Sequence, residues 1–208
     1  MKFNTALLHG NFTPDGKTGA TTTPIYQSSS LKAYKQFGAF IYLAKLRKSL
    51  FKDFGACMSP FNAYLSSLGL KTLALRMDRL CSNAFRLAKS LQSNPKVVSV
   101  NFPGLHESEY HALANEQFGG KYGAILTIRV GSKGNAFKVI NSLKYASNLA
   151  NIGNVRTLVI HPASTIYANN TIEEKEKMGV YEDLIRISVG LEDIEDLEED
   201  FTQALNTI

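Results

Sequence analysis

From Lys96 onward the sequence switches repeatedly between two periodicities, and this alternation limits the fold more than any other feature. KVVSVNF (96–102), GAILTIRV (123–130), RTLVI (156–160) and LIRISVG (184–190) are short, rich in β-branched residues and bounded by turn formers, so they read as strands. HESEYHALANEQF (106–118), NAFKVINSLKYA (135–146) and DIEDLEEDFTQAL (193–205) carry apolar residues at helical spacing. In the last of these, Ile194, Leu197, Phe201 and Leu205 share one face. Asp193, Glu195 and Asp196 sit near its N-terminus, where the helix dipole favours negative charge. Strands alternating with helices predict an α/β (α+β) layer, a sheet of about four strands with helices on one side.

Upstream the pattern is helical, then extended. Ser59-Pro60 is a helix start, with serine as N-cap and proline in the first turn. The run NAYLSSLGLKTLALRMDRLCSNAFRLAKSLQ continues it for many turns and feeds into the sheet layer. In AFIYLAKLRKSLFKDF (39–54), Phe40, Leu43, Leu46, Leu50 and Phe54 form one helical stripe, and Gly55 is a stop signal. Residues 1–30 have the turn signal Pro14-Asp15-Gly16 and the strand-like piece TTTPIYQ, in which Pro24 argues against a central strand. Such an arm has little core of its own and must lie on other parts of this chain or on a neighbouring subunit. The expected layout is an arm (1–30), a connecting helix (31–58) and an α/β domain (59–208).

With 208 residues, 44% of them hydrophobic, the chain can bury a sizeable core. No stretch has the long apolar run of a membrane span, and the N-terminus has no hydrophobic signal core, so a cytoplasmic protein is expected. Cys57 and Cys81 have neither CxxC spacing nor metal-like histidine partners and read as reduced, buried thiols. Residues 1–100 hold 14 Lys/Arg against 3 Asp/Glu, whereas 101–208 hold 9 against 15. No nucleic-acid motif or interleaved stacking aromatics accompany the basic half, so a solvated surface is the preferred reading over a nucleic-acid partner.

Few residues stand out chemically. Strand alternation puts Leu184, Arg186 and Ser188 on one face of LIRISVG and Ile185, Ile187 and Val189 on the other, which is core. Arg186 is then a cation on a stiff strand, suited to gripping a carboxylate with two parallel hydrogen bonds. Judged on the strand alone, an ion pair with Asp183 or Glu192 is the commoner use of such a residue. In NVRTLVIHPAST, Thr157 and Val159 share a strand face, and His161 ahead of a proline reads as a hydrogen-bonded structural residue. Ser164 and Thr165 read as caps or polar contacts, and Asn62 and Arg76 as residues satisfying buried polar groups. There is no phosphate-binding loop between a strand and a helix, no metal-ligand spacing and no nucleophile–base–acid order.

Several stretches together resemble one family. FGACMSPFNAYLSSLGLKTLALRMDR, NSLKYASNLANIGNVRTLVIHPAST and GVYEDLIRISVGLEDIEDLEEDF are similar to the C-terminal domain of the pyridoxal-phosphate-dependent Cys/Met-metabolism (transsulfuration) family. Its O-acetylhomoserine sulfhydrylase branch is the nearest, with cystathionine synthases and lyases as the alternative. NTALLHGNFTPDGKTGATTTPIYQSSS resembles that family's opening arm. The resemblance implies the C-terminal domain of a fold-type I enzyme. It implies transfer of the aminocarboxypropyl group of O-acetylhomoserine to sulfide or methanethiol, in methionine and cysteine biosynthesis. It implies pyridoxal 5'-phosphate as cofactor and an amino acid as substrate, whose α-carboxylate Arg186 would grip with help from Thr157, where serine is usual. Homo-oligomerisation, or association with a full-length homologue, is the partner arrangement it implies.

The sequence also departs from the family. Ile166 and Tyr167 stand where Thr-His is usual, and Leu80 where His is common. The large cofactor domain expected between the arm and residue 39 is absent. The family lysine lies in Ser-x-Thr-Lys followed by Gly-His. Ser29-Ser30-Leu31-Lys32 has the serine and lysine but neither the threonine nor the Gly-His. Lys32 is therefore not expected to form the Schiff base, and the chain alone is expected neither to hold the cofactor nor to be active.

Overall fold

The computed structural model describes residues 57–208. The expected arm, Lys32 and nearly all of the connecting helix lie outside the described residues. The chain divides into two units between Ala74 and Leu75. In the first, α1 (Pro60–Lys71) starts as its sequence dictates: Pro60 opens the helix, and the Ser59 hydroxyl accepts the Asn62 amide at 3.1 Å. The long helix expected from 59 to 93 is interrupted at Thr72, and α2 (Leu73–Gln92) follows. Gly69 and the β-branched Thr72 are poor helix formers, and they fall together where the break occurs.

In the second unit, beyond α2, come β1 (Ser99–Asn101), α3 (His111–Phe118), β2 (Ile125–Arg129), α4 (Lys133–Ser142) and β3 (Ser147–Asn148). After them come β4 (Leu158–Ile160), a 3₁₀ turn (Pro162–Ser164), α5 (Ile172–Lys177), β5 (Leu184–Ser188) and α6 (Ile194–Leu205). The sheet has five strands in the order β1-β2-β5-β4-β3. β5 runs antiparallel to both its neighbours, β2 and β4, while β3 is parallel to β4. The mixed α/β architecture with a sheet of about four strands is borne out, with one short edge strand added.

That added strand has a physical cause which local sequence does not show. The 135–146 pattern predicts helix, but α4 ends at Ser142. Asp200, 2% exposed on α6, accepts the backbone amides of Lys144 and Tyr145 at 2.8 and 3.0 Å. This carboxylate holds the chain off the helical path and delivers Ser147 and Asn148 to the edge of β4. α3 likewise begins at His111 rather than 106, because residues 105–110 are tied into successive turns. α5 was not expected. Its signal was present in Thr171 and Glu174, which form a reciprocal capping box.

One face of the sheet carries the core. Leu126, Ile128, Val159, Ile185 and Ile187 meet Leu80, Ala84 and Leu87 of α2, Val139 of α4, and Leu197, Phe201 and Leu205 of α6. The face expected for the last helix is therefore the buried one. Phe201 is fully buried, and Phe201→Ala is expected to lower stability by about 3–5 kcal/mol. A urea titration should show this as a lower midpoint with unchanged slope.

Candidate functional site

Arg186 lies in the middle of β5, the central strand, opposite Thr127 of β2 and Ile160 of β4. Both flanking ladders fix its backbone, and alternation turns its side chain away from the helices. One Nη group donates to the main-chain carbonyl of Asn151 at 3.1 Å. The Nε group is buried and has no partner. The expected ion pair with Asp183 or Glu192 does not form. Asp183 instead takes Arg129 at 2.8 Å and the Gly131 amide at 3.0 Å, and Arg129 also stacks on the Tyr181 ring. Arg129 and Arg186 share this sheet face, yet only Arg129 is neutralised. Among the described residues no carboxylate pairs with Arg186. A half-buried guanidinium with donors left over is arranged to receive an anion.

Ser188 is on the same face, two residues further along β5. Its hydroxyl is also buried without a partner. The sheet face around Arg186 thus holds two unsatisfied polar groups, whereas buried polar groups in proteins are nearly always paired.

Thr157 is placed differently. It is fully buried, and by strand alternation it shares the face of Val159, opposite to Arg186. Its hydroxyl accepts the Gly190 amide at 2.9 Å and donates to the Glu192 carboxylate at 2.8 Å. Its own amide donates to the same carboxylate at 2.6 Å. Asn83 of α2 donates to the carbonyls of Gly190 and Glu192 at 3.0 and 2.8 Å. The structure therefore does not bring Thr157 and Arg186 together at one surface. It makes Thr157 part of a polar clamp on the segment following β5. Gly190 is required there, since a Cβ would come within 2.5 Å of backbone atoms of Arg156 and Thr157.

His161 is 3% exposed. Its Nε2–H donates to the Glu182 carbonyl at 2.8 Å, so Nδ1 accepts from the Ser164 hydroxyl and amide at 2.8 and 3.2 Å. The Thr165 hydroxyl donates to the His161 carbonyl. These groups build the turn after β4, and the structural reading of His161, Ser164 and Thr165 stands. Nearby, the hydrogen bond from Lys133 holds the Glu182 carboxyl below the usual carboxylate range, with Lys175 adding to the pull. Asn62 is exposed and only its backbone amide is used, in the α1 cap, so it satisfies no buried polar group, while Arg76 is a half-buried residue of α2. Cys81 is buried as expected, but Cys57 is exposed. Sequence reading missed the Asn151 carbonyl as the group orienting Arg186. A main-chain acceptor in a loop leaves no side-chain signature.

The chain resembles known proteins in sequence and in fold. A family model described as Cys/Met metabolism PLP-dependent enzyme matches residues 33–206. Homocysteine synthase of Schizosaccharomyces pombe is 45% identical over 172 residues, covering 81% of this chain and 40% of that protein. O-acetyl-L-homoserine sulfhydrylase 1 of Thermus thermophilus is 40% identical over 200 residues, covering 94% of this chain and 47% of that protein. Among solved structures, an O-acetylhomoserine sulfhydrylase of Wolinella succinogenes superposes with a TM-score of 0.67 at 40% identity, covering 83% of this chain and 46% of its own. A Campylobacter jejuni structure described as an O-acetylhomoserine (thiol)-lyase, solved with N'-pyridoxyl-lysine-5'-monophosphate, gives 0.74 at 32% identity, covering 80% of this chain and 40% of its own. The chain thus spans less than half the length of these relatives. On the extent of the family match and the identity to these relatives, the chain belongs to the Cys/Met metabolism PLP-dependent enzyme family.

Proposed function

We propose that this chain is the carboxylate-binding part of an O-acetylhomoserine sulfhydrylase. The reaction it serves transfers the aminocarboxypropyl group of O-acetylhomoserine to sulfide or methanethiol, releasing acetate, in the cytoplasmic formation of homocysteine or methionine. The observation that carries this reading is Arg186: a guanidinium fixed at the sheet centre, without an acidic partner among the described residues, in a family whose substrates are amino acids. Its free donors would hold the substrate α-carboxylate, leaving the γ-carbon end of the substrate directed away from the sheet. Thr157 acts at one remove, by clamping the segment after β5 through Gly190 and Glu192.

The described residues do not fit pyridoxal phosphate. A cleft of about 240 Å³ is lined by Arg129, Lys133 and Lys175, among others. Arg129 is committed to Asp183, and both lysines to Glu182. No step of the transfer is therefore assigned to these described residues. In the domain layout that accompanies this reading, residues 1–30 are an arm, 31–58 a connecting helix and 59–208 the C-terminal domain.

The test is spectroscopic. Purified chain, incubated with pyridoxal phosphate and desalted, is expected to show no stoichiometric visible band. A stoichiometric band that borohydride fixes to Lys32 would overturn the reading that the chain cannot hold the cofactor alone.

A further inference from the structure

Antiparallel strands bring facing side chains closest at alternate rungs, those without main-chain hydrogen bonds. The bonds from the Val130 amide to the Asp183 carbonyl, and from the Val189 amide to the Ala124 carbonyl, mark the hydrogen-bonded rungs between β2 and β5. By alternation along that register, Thr127 and Arg186 form a non-hydrogen-bonded pair. The Leu191 amide bonded to the Val155 carbonyl sets the same phase between β5 and β4, so Ile160 and Arg186 form another. Partners at such rungs lie about 4.5 Å apart at Cα, with their side chains on one face.

The Arg186 side chain therefore rises between a buried isoleucine and a half-buried threonine. Ile160 offers it no polar group. The Thr127 hydroxyl makes no hydrogen bond to any of the described residues. On the same face of β2, Arg129 is already taken by Asp183 and the Tyr181 ring, and Ile125 is apolar. An uncommitted hydroxyl thus stands directly across from a guanidinium with donors to spare. Thr157, the hydroxyl expected beside the carboxylate, is on the other face and consumed by Gly190 and Glu192.

We infer that Thr127, on the reading of Arg186 given above, is the second carboxylate-binding residue of that site. Its hydroxyl donates to one carboxylate oxygen while the spare guanidinium donors hold the group as a whole. A guanidinium alone fixes where a carboxylate sits. A hydroxyl on the adjacent strand also fixes how it is turned, and with it the direction in which the rest of the amino acid leaves the sheet. The threonine is then used for its hydroxyl and not only for the strand preference of a β-branched residue.

The test is a titration of the 208-residue chain with L-methionine and with L-methioninamide, followed through the backbone amide resonances of β2 and β5. The amide lacks the carboxylate and so isolates its contribution. Thr127→Val keeps the branched shape and removes only the hydroxyl. It is expected to weaken methionine binding by about 3- to 10-fold, the range for loss of one hydrogen bond, with no change for methioninamide and no loss of Tm. Thr127→Ser keeps the hydroxyl and should bind methionine within about twofold of the wild type. Wild-type affinity in Thr127→Val, or equal weakening in Thr127→Ser, would overturn the inference. Arg186→Ala separates the two readings. If it weakens methionine binding while Thr127→Val does not, the role of Thr127 falls and that of Arg186 stands. If Thr127→Val weakens binding while Arg186→Ala does not, the shared site falls with the Arg186 reading. A wild-type chain that binds methionine no better than methioninamide overturns both.

Discussion

Arg186→Ala is expected to weaken binding of an α-amino carboxylate, such as methionine or homoserine, by about 10- to 100-fold, the range for loss of hydrogen bonds to a charged group. Arg186→Lys should recover only part of this, because an ammonium cannot reproduce the planar two-pronged contact. The reason for so large an effect is preorganisation. The guanidinium stands on the central strand, one Nη is already held by the Asn151 carbonyl, and no acid among the described residues competes for it. A titration followed through the Arg186 side-chain N–H resonances would read the contact directly. If both variants bind like the wild type, Arg186 is not the carboxylate site. The neighbouring Arg129 is the internal control. Its ion pair with Asp183 already satisfies it, so Arg129→Ala should leave ligand affinity within about twofold while lowering stability.

Asp200→Ala carries an expected cost to the fold as large as that of Phe201→Ala. It removes the acceptor for the amides of Lys144 and Tyr145, a third and longer bond from Ala146 at 3.4 Å, and the Gln203 side chain at 3.1 Å. With the buried Asp200 carboxylate gone and two or more part-buried donors stranded at about 1–3 kcal/mol each, a loss of about 3–5 kcal/mol follows. For a chain of this size that lowers Tm by roughly 6–20 °C. The damage should be local before it is global. Amides of 144–149 should lose exchange protection first, because the carboxylate is what draws Ser147 and Asn148 onto β4. Unchanged protection there would show that β3 forms without it.

These two residues illustrate how far the sequence could be read. Arg186 was legible because strand alternation alone separates it from Ile185 and Ile187, and the core confirms that separation. The last helix was legible for the same reason, its apolar stripe being the face that packs. Asp200 was not legible. In DIEDLEEDF it is one acid among six, and only the tertiary fold turns this one inward. Thr157 shows another limit. Its place on the Val159 face could be read from alternation, but not that its hydroxyl is consumed by Gly190 and Glu192, the latter 35 residues away. The α5 capping box marks the opposite case, a local signal that was present in Thr171 and Glu174 and passed over.

The order of strands has a consequence for self-association. A sheet recruits other sheets through the unpaired backbone groups along its outermost strands, and long flat outer strands invite aggregation. Here the two outer strands are β1, three residues long, and β3, only two. The hydrogen-bonding capacity left at the margins is small, while the longer strands β2 and β5 are paired on both sides. Runaway strand-to-strand growth therefore has little to start from. Self-association of this chain should instead be governed by its exposed side chains, and polar substitutions at the exposed Leu149, Ile152 and Val155 should improve solubility more than any change along the sheet margins.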